Sequence, residues 1–395
     1  MLGDAANDLL PHALDQLYQA ALDTRPISGL THRFYRYPAR FSPGFAAAAI
    51  RNFSAPGALV LDPYMGGATT IVEALALGRR AVGCDVNSLA VFIARAKTTV
   101  LMADERRAIK HWALKIVPSL RYSHTPDELA SIICPRRTKN LTLSIARPLK
   151  KLMALALLTL DDALPSEDAK NFARCALLNV GQWALNGRRR ATPLAEFRQQ
   201  LSATVGEMLN GLRAFSSRLE RHPTEPGPRV FLINDSAEHL RAHEPLQNQK
   251  VDLAVSSPPY PGIHMLYHRW QVDGRRETPA PYWLAACQDG QGASFYNFAD
   301  RRDPGMETYF EASLRTLRSI REVMKDGSVF VQLIAFSEPG RHLPRYLRNM
   351  RNAGFQEVRH RDRGAIWRRV PSRRWHASLN AGNGAREIVL IHRAG

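Results

Sequence analysis

The stretch ALVLDPYMGGATTIVEALALGRRAVGCD (residues 58–85) decides the fold of this chain. The apolar run at its start is typical of a buried parallel strand. The pair Gly66–Gly67 then allows a tight turn, and the residues after it have the spacing of a helix. RAVGCD at its end is a second strand-like run. A strand, a glycine turn, a helix and a second strand make a βαβ unit, so we expect an α/β protein with a mostly parallel sheet.

Strand-like runs alternate with helices on both sides of a long helical stretch. Residues 100–228 show helical spacing and no strand-like run, whereas such runs return from Arg229 onward and end in a hairpin-like pair. We expect a Rossmann-like, seven-stranded sheet with a helical insertion. The predicted divisions are a first half of the core in 1–99, an insertion in 100–228 with target recognition as an open role, and a second half in 229–395 with a basic loop.

Length and cysteine usage exclude several classes of protein. A chain of 395 residues exceeds the roughly 250–300 residues of a single core, which agrees with an insertion or a second domain. The 4 cysteines are far apart and form no CxxC pair, which argues against a zinc cluster and a disulfide framework. No spacing matches HExxH or another metal pattern, so we expect no metal site. We expect a cytoplasmic protein without a secretory signal, and without a membrane span because no run of eighteen apolar residues occurs.

The charge balance indicates a polyanionic partner. Lys and Arg number 54 against 36 Asp and Glu, a net charge of +18. Basic surfaces bind phosphates and release counterions, so nucleic acid is the favoured partner. The alternative is a basic protein with no such partner.

The residues after the first two predicted strands suit a nucleoside ligand. Gly66 and Gly67 let a ligand approach the backbone, and the free N–H groups of the following helix favour an electron-rich group. Asp85 ends the second strand about twenty residues later, where an acidic side chain accepts hydrogen bonds from ribose hydroxyls. Asp235 ends the third strand and is either an acceptor for an adenine amino group or a helix N-cap. The turn lacks a GK[ST] sequence, which excludes a P-loop.

The fourth strand ends in AVSSPPYPG (residues 254–262), which suits chemistry on an amino group. Pro258 and Pro259 force the chain out of the sheet and restrict its φ angles. Backbone carbonyls and Ser257 can accept hydrogen bonds from the amino group of a base, which localises its lone pair for attack. Tyr260 can stack on the ring, an interaction of about 1–3 kcal/mol. The alternative interpretation of these four residues is a rigid turn.

Together these motifs resemble the amino-group DNA methyltransferases, which depend on S-adenosylmethionine. LDPYMGGATT is similar to that family's cofactor loop DPFxGSGTT, and SSPPY is similar to its catalytic motif [DNS]PP[YFW]. HRFYRYPARFSP (residues 32–43) resembles the upstream segment that packs near the methionine part of the cofactor. The resemblance covers residues 32–98 and 229–392, and it implies a Rossmann-like methyltransferase fold.

The resemblance assigns residues to both halves of a site. The predicted catalytic residues are Ser257, Pro258, Pro259 and Tyr260. The predicted residues that bind S-adenosylmethionine are Tyr37, Pro38, Asp62, Pro63, Gly66, Gly67, Thr69, Thr70, Asp85, Asn87, Asp235 and Ser236. Two features depart from the family pattern: Ala68 replaces the last glycine of the loop, which is expected to shift it, and no recognisable target-recognition domain follows the catalytic motif.

Two further segments are predicted to contact nucleic acid. The first follows the catalytic motif directly, and the second is the basic loop of residues 361–384, where arginines alternate with tryptophans that suit phosphate contact and base stacking. The predicted residues are His268, Arg269, Trp270, Arg368, Arg369, Arg373, Arg374 and Trp375. The competing interpretations are an ordinary packed helix face for the first segment and a solvated loop for the second.

The resemblance implies a methyltransferase of DNA, and it leaves the exact target open. Serine at position 257 is more typical of enzymes that methylate N4 of cytosine, while N6 of adenine is the close rival. Methylation of RNA, methylation of a glutamine amide in a protein, and nucleic-acid binding by a degenerate site without catalysis also fit the sequence. A partner nuclease is compatible with the sequence, which contains no sign of one.

Overall fold

The structure is a computed structural model, and it describes most of the chain. The described residues are 11–23, 25, 27–37, 42–123, 126–222, 227–260, 269–274, 276–289, 298, 306–336, 338–359, 365–369 and 386–395. Among them, no helix has both the length and the apolar character needed to cross a membrane.

A twisted sheet of eight strands forms the centre of the described fold. The described strands, including two outside this sheet, are β1 (Leu59–Asp62), β2 (Arg80–Cys84), β3 (Val230–Ile233), β4 (Val251–Ser256), β5 (Trp270–Val272), β6 (Arg276–Thr278), β7 (Met324–Ile334), β8 (Phe355–Val358), β9 (Ile366–Arg369) and β10 (Arg386–Ala394). The sheet has the order β3-β2-β1-β4-β7-β10-β8, with β9 also paired to β10. Within this sheet, the five neighbouring strands β3, β2, β1, β4 and β7 are parallel to one another. Strand β10 runs antiparallel to β7, β8 and β9.

This topology confirms the predicted α/β, Rossmann-like fold with a mostly parallel sheet. The chain order reverses between β1 and β4, so the two strands that precede the predicted cofactor and catalytic segments are neighbours. In an open α/β sheet, a ligand binds beyond the carboxyl ends of the strands at such a switch point. The fold therefore brings the cofactor loop after β1 and the Ser-Pro-Pro-Tyr segment after β4 to one edge.

Helices cover both faces of the sheet. They are α1 (Pro11–Leu22), α2 (Pro43–Phe53), α3 (Thr69–Ala76), α4 (Ser88–Thr98), α5 (Ala103–His111), a π-helical turn (Trp112–Ile116), α6 (Val117–Ser119), α7 (Leu129–Ile132), α8 (Arg147–Leu158), α9 (Leu160–Ala163), α10 (Glu167–Leu185), α11 (Leu194–Glu220), a 3₁₀ helix (Ala237–Ala242), α12 (Ala280–Leu284), α13 (Glu307–Val323) and α14 (Pro339–Asn352). Alternating strand residues divide between the two faces: Val60 belongs to a hydrophobic cluster that includes residues of α2, α3 and the helices from α5 to α11, whereas Leu61 belongs to the cluster that includes residues of α13 and α14.

The helices between β2 and β3 share one hydrophobic core with the sheet. Phe172 of α10 and Phe215 of α11 are fully buried in the same cluster as Val60 and Val255 of the sheet. Helical packing on a sheet face of this kind buries the apolar stripe that the sequence shows at helical spacing. The segment 100–228 is thus joined to the core by packing along its length.

Two elements of the structure correct the sequence-based interpretation. The sequence analysis did not predict the hairpin that β5 and β6 form, whose turn contains Asp273 and Gly274, both with positive φ. The sequence Asp-Gly between two short strands is a strong signal for such a hairpin. Within the predicted basic loop, β9 continues the line of β8 along the edge of β10, so the sheet has eight strands instead of seven.

Candidate active site at the carboxyl edge of the sheet

The turn after β1 requires small residues because an aromatic ring lies against it. Gly66 has φ of +43°, and a Cβ at this position would lie 3.1 Å from a ring carbon of Tyr37. The Gly66 amide donates a hydrogen bond to Oδ2 of Asp85 at 2.9 Å. Gly66, Tyr37 and Asp85, three of the predicted cofactor residues, are therefore brought together by the fold.

Ala68 keeps the turn although it is not glycine. Its φ of +59° and ψ of 32° are left-handed, a conformation that costs a residue with a Cβ about 1–2 kcal/mol. The turn is held by neighbouring bonds: the Ala68 amide donates to the Met65 carbonyl at 2.6 Å, and the buried Lys97 Nζ donates to the Gly67 carbonyl at 2.7 Å. Sequence analysis missed Lys97, whose only signal was a lysine on an otherwise apolar helix face.

Asp85 lies at the mouth of this turn with a carboxylate that already accepts two backbone bonds. Oδ1 accepts from the Asn87 amide at 2.8 Å, and Oδ2 accepts from Gly66. Burial raises the pKa of Asp85 to about 6, against the opposing effect of these two bonds, even though the residue keeps partial exposure to solvent. The group can therefore be ionised at neutral pH and still face a ligand.

Asn87 connects the turn to aromatic residues from two other parts of the chain. It caps α4 by accepting a bond from the Leu89 amide at 3.0 Å. Its Oδ1 also accepts from the Tyr282 hydroxyl at 3.0 Å, and its Nδ2 donates to the Tyr37 hydroxyl at 3.4 Å. Tyr282 was missed by sequence analysis, since nothing in PAPYW distinguishes a site residue from a core residue.

Asp62 is a buried carboxylate at the end of β1. It is 1% exposed, and its Oδ1 accepts bonds from the Ser256 hydroxyl at 2.5 Å and the Tyr64 amide at 3.2 Å. Burial raises its pKa to about 6, and the bonds from Ser256 and Thr70 oppose that rise. The carboxylate thus joins the end of β1 to the end of β4. Three more predicted cofactor residues are buried nearby: Pro63 and Gly67 lie in the turn after β1, and Thr69 is the first residue of α3.

Asp235 follows the end of β3 and forms hydrogen bonds with two histidines. Its Oδ1 lies 3.1 Å from Nδ1 of His239, and its Oδ2 lies 2.8 Å from Nε2 of His243. Burial raises its pKa, but these bonds and one from the Ser236 amide outweigh that effect and leave the pKa below its usual value. Ser236 caps the 3₁₀ helix by accepting from the Glu238 amide. The N-cap interpretation of Asp235 is therefore wrong, because Ser236 holds that position.

The Ser-Pro-Pro-Tyr segment is held by a chain of hydrogen bonds. Tyr260 donates its hydroxyl proton to Oε1 of Glu387 at 2.9 Å, and Ser257 donates to the Tyr260 hydroxyl at 3.0 Å. The Tyr309 hydroxyl donates to the Pro259 carbonyl at 2.7 Å, and burial raises the pKa of Tyr309 well above its usual value, which keeps that proton in place. Since the proton of Ser257 points to Tyr260, the lone pairs of Ser257 are left to accept from a ligand.

Glu387 is a site residue that sequence analysis missed. It is 1% exposed at the start of β10, directly opposite Arg368 of β9, whose guanidinium donates to Oε2 from Nε at 2.8 Å and from Nη2 at 2.5 Å. A glutamate inside the apolar run REIVLIH was the available signal. The prediction that Arg368 contacts nucleic acid is corrected, because strand pairing places it in a buried ion pair.

Two other predicted nucleic-acid contacts are also taken up by protein groups. Trp270 is 1% exposed, and its indole N–H donates to the Tyr35 hydroxyl at 3.1 Å, so it belongs to the core. Arg269 pairs with Asp289 at 2.7 Å. The physical reason in both cases is the β5–β6 hairpin, which turns these side chains inward. The predicted residues that lie outside the described part of the chain are Pro38, His268, the side chain of Arg369, Arg373, Arg374 and Trp375.

The arrangement has two adjacent halves. The glycine turn with Asp85 and Asn87 forms one half, which we call the cradle, and the Ser-Pro-Pro-Tyr segment beside it presents hydroxyl and carbonyl acceptors with an aromatic ring. The bond from Ser256 to Asp62 joins the two halves at 2.5 Å. Among the described residues, no group of His, Cys, Asp and Glu side chains could hold a metal ion.

Comparison with known proteins agrees with this geometry over part of the chain. Residues 15–95 match the model of the N6/N4 DNA methylase family. Type II methyltransferase M.MvaI of Kocuria varians is 34% identical over 104 residues, which cover 24% of this chain and 23% of that enzyme. The chain thus matches about a quarter of the length of this curated relative.

The solved structures that match this chain are distant from it in sequence. TrmN from Thermus thermophilus has 12% identity and a TM-score of 0.36 over 92% of this chain and 52% of its own. The rRNA methyltransferase aviRa from Streptomyces viridochromogenes has 9% identity and a TM-score of 0.38 over 95% of this chain and 96% of its own. These similarities do not bear on the substrate. The matched segment contains the glycine turn and Asp85, and over this part the chain is similar to the N6/N4 DNA methylase family.

Proposed function

We propose that the protein transfers a methyl group from S-adenosylmethionine to an exocyclic amino group of a DNA base, with N4 of cytosine as the target and N6 of adenine as the alternative. The observation that carries the proposal is the junction of β1 and β4, where the Ser256–Asp62 bond holds the Ser-Pro-Pro-Tyr segment beside the glycine turn. Ser257 favours cytosine over adenine through the resemblance of its motif, and the net charge of +18 favours a polyanionic substrate.

The cradle suits the proposed cofactor. Asp85 has its carboxylate at the mouth of the turn, where ribose hydroxyls would donate to it. A Cβ at Gly66 would crowd the ring of Tyr37, which lies against the turn. Asn87 holds the Tyr37 side chain in place through hydrogen bonds to the hydroxyl groups of Tyr37 and Tyr282. When bound, the cofactor supplies an electrophilic methyl group on a sulfonium.

The catalytic segment would orient and activate the amine. The lone pairs of Ser257 accept a hydrogen bond from the amino group, since the proton of Ser257 is committed to Tyr260. The carbonyl of Pro258 is proposed as the second acceptor, because the Pro259 carbonyl already accepts from Tyr309. Both contacts draw the nitrogen lone pair out of conjugation with the ring. The ring of Tyr260 stacks on a base flipped from the duplex, a step that costs a few kcal/mol.

The identity of the methylated nucleoside tests the proposal. Purified protein is incubated with S-adenosylmethionine and, in separate reactions, with DNA and with RNA, and the nucleosides are analysed by mass spectrometry. We expect N4-methylcytosine. N6-methyladenine would keep the reaction class and reject the cytosine assignment. Methylated RNA with unmodified DNA would reject the DNA substrate, and 5-methylcytosine would reject the mechanism, because carbon methylation needs a cysteine nucleophile and SSPPYP contains none.

Cofactor affinity is expected to fall as the pH drops below about 6. Asp85 must be ionised to accept bonds from hydroxyl groups, and its pKa is raised to about 6 by burial. Above this pH the carboxylate is ready to bind, whereas below it binding must first remove a proton. We expect the dissociation constant for S-adenosylmethionine to rise by up to about tenfold per pH unit in calorimetry between pH 7.5 and 5.

The matched control is Asp85→Asn, which keeps the shape of the side chain and removes its titration. This variant should bind more weakly at pH 7.5 and show a flatter profile. Asp62, whose pKa is also about 6, is unchanged in it and accounts for any residual slope. Equal profiles for the variant and the wild type would remove Asp85 from the binding site.

A further inference from the structure

An open pocket of about 710 Å³ lies between the helical segment and the β5–β6 hairpin. We call it the basic pocket, and its lining residues are Arg136, Arg137, Lys139, Asn140, Arg269, Glu277, Pro279, Gln288 and Asp289. Four of these side chains are cationic and two are anionic, so the lining carries an excess of positive charge. The pocket lies outside the catalytic segment and outside the cofactor cradle.

The excess charge of the basic pocket belongs to one turn of the chain. Arg269 is neutralised by Asp289 at 2.7 Å, with Glu277 at 4.0 Å. Arg136, Arg137 and Lys139 form no ion pair with any residue that the structure describes. Arg136 and Lys139 are exposed and Arg137 is half-buried. Three cations thus face the pocket without a carboxylate partner among the described residues.

The turn that carries these cations is fixed to the hairpin. Asn140 adopts a left-handed φ of +65°, and its Nδ2 donates to the Glu277 carbonyl of β6 at 2.8 Å. Thr138 is buried, and its amide and hydroxyl both donate to the Cys134 carbonyl at 2.9 Å. A ligand would therefore meet the cations in a preset arrangement, which lowers the entropy lost on binding.

The basic pocket lies next to the cofactor cradle. The Gln288 carbonyl, on the pocket wall, accepts a bond from the Ser88 hydroxyl at 2.6 Å. Ser88 directly follows Asn87, the residue that holds Tyr37 and Tyr282 beside the glycine turn. The Ser88–Gln288 bond thus joins the pocket wall to the residue next to the cradle.

We infer that the basic pocket binds the phosphate backbone of the DNA substrate, through Arg136, Arg137 and Lys139. Arginine presents a planar set of donors that matches phosphate oxygens, and lysine adds a point charge. Contacts of this kind position the duplex without reading its sequence. The inference rests on the proposed function, to which it adds the surface that holds the substrate. It assigns part of nucleic-acid binding to the helical segment, in a chain where no recognisable target-recognition domain follows the catalytic motif.

The test is the salt dependence of DNA binding by a triple variant, Arg136→Gln, Arg137→Gln and Lys139→Gln. The full-length protein, saturated with S-adenosylhomocysteine to prevent turnover, is titrated against a labelled duplex of mixed sequence between 50 and 200 mM salt. Each lost phosphate contact should reduce the slope of log K against log salt by about 0.9, so we expect a reduction of about 2–3. Affinity at the lowest salt should fall at least about tenfold.

A matched control removes three exposed arginines from the opposite edge of the sheet. Arg213, Arg218 and Arg221 lie near the end of α11, and the next residue, His222, lies against Gly78 in the turn before β2. Their replacement by glutamine should leave most of the slope intact. Equal slopes for the two triple variants, or a wild-type slope in the pocket variant, would overturn the inference.

The affinity for S-adenosylmethionine checks that both variants fold, and the nucleoside analysis tests the proposed function separately. Both triple variants should bind S-adenosylmethionine with wild-type affinity, because the cradle is untouched. If the wild type methylates DNA and the pocket variant keeps wild-type DNA binding, the pocket inference is rejected and the proposed function stands. If the wild type yields no methylated DNA base, the proposed function fails, and the nucleoside analysis shows this independently of the slopes.

Discussion

The Tyr260→Ala variant is expected to transfer methyl groups about 5- to 150-fold more slowly than the wild type, with little change in S-adenosylmethionine affinity. Base stacking on an aromatic ring contributes about 1–3 kcal/mol, and each 1.36 kcal/mol corresponds to a factor of ten in rate. The Tyr260 side chain is half-buried, and its hydroxyl bonds to Ser257 and Glu387, whereas the Asp85 carboxylate bonds to Gly66 and Asn87 in the cradle. Single-turnover kinetics with DNA in excess measures the rate of transfer.

The control for this prediction is Tyr260→Phe, which retains the ring and removes the hydroxyl. The hydroxyl donates to Glu387 and accepts from Ser257, so its loss frees the proton of Ser257 to turn elsewhere. We expect the phenylalanine variant to keep the stacking contribution and to lose only the orienting one, which places its rate between those of the wild type and the alanine variant. A wild-type rate for Tyr260→Ala would exclude Tyr260 from the substrate pocket.

The parts of the site that could be predicted from sequence are those built by residues close together in the chain. The glycine turn, Asp85 and Asn87 follow strands that are visible as apolar runs, and the fold of parallel strands puts their ends at one edge. The Ser-Pro-Pro-Tyr segment is equally local. In each case a short stretch determines both the backbone shape and the direction in which the side chains point.

The errors come from pairing between distant segments. Arg368 was predicted to bind nucleic acid because arginine and tryptophan alternate around it, but its environment depends on β10, which places Glu387 opposite. Trp270 was predicted to be near the substrate because it follows the catalytic motif, whereas a hairpin turns it toward Tyr35. Tyr282 and Lys97 reach the cradle from helices, and a single aromatic or basic residue on a helix carries no signal of its destination.

Glu387→Gln is expected to lower the free energy of unfolding by about 3–5 kcal/mol, the usual cost of leaving one member of a buried ion pair without its partner. The Arg368 side chain is 12% exposed and that of Glu387 is 1% exposed, so little solvent is present to screen the remaining charge. Arg368 also donates from Nη1 to the Ala21 carbonyl at 3.3 Å, which ties α1 to β9. Urea denaturation measures the change, and a variant as stable as the wild type would contradict the buried pair.

The double variant Glu387→Gln with Arg368→Gln separates stability from catalysis. It removes both charges, and replacing a buried pair as a unit costs far less than breaking it, so most of the stability should return. The rate should not return with it. A neutral amide accepts a weaker hydrogen bond from the Tyr260 hydroxyl than a carboxylate does. The Ser257 hydroxyl donates to Tyr260 only while Tyr260 donates to residue 387, and this arrangement leaves the lone pairs of Ser257 for the amine. A double variant with restored stability and a slow single-turnover rate would identify Glu387 as a positioning residue, whereas recovery of both would reduce its role to that of a structural partner for Arg368.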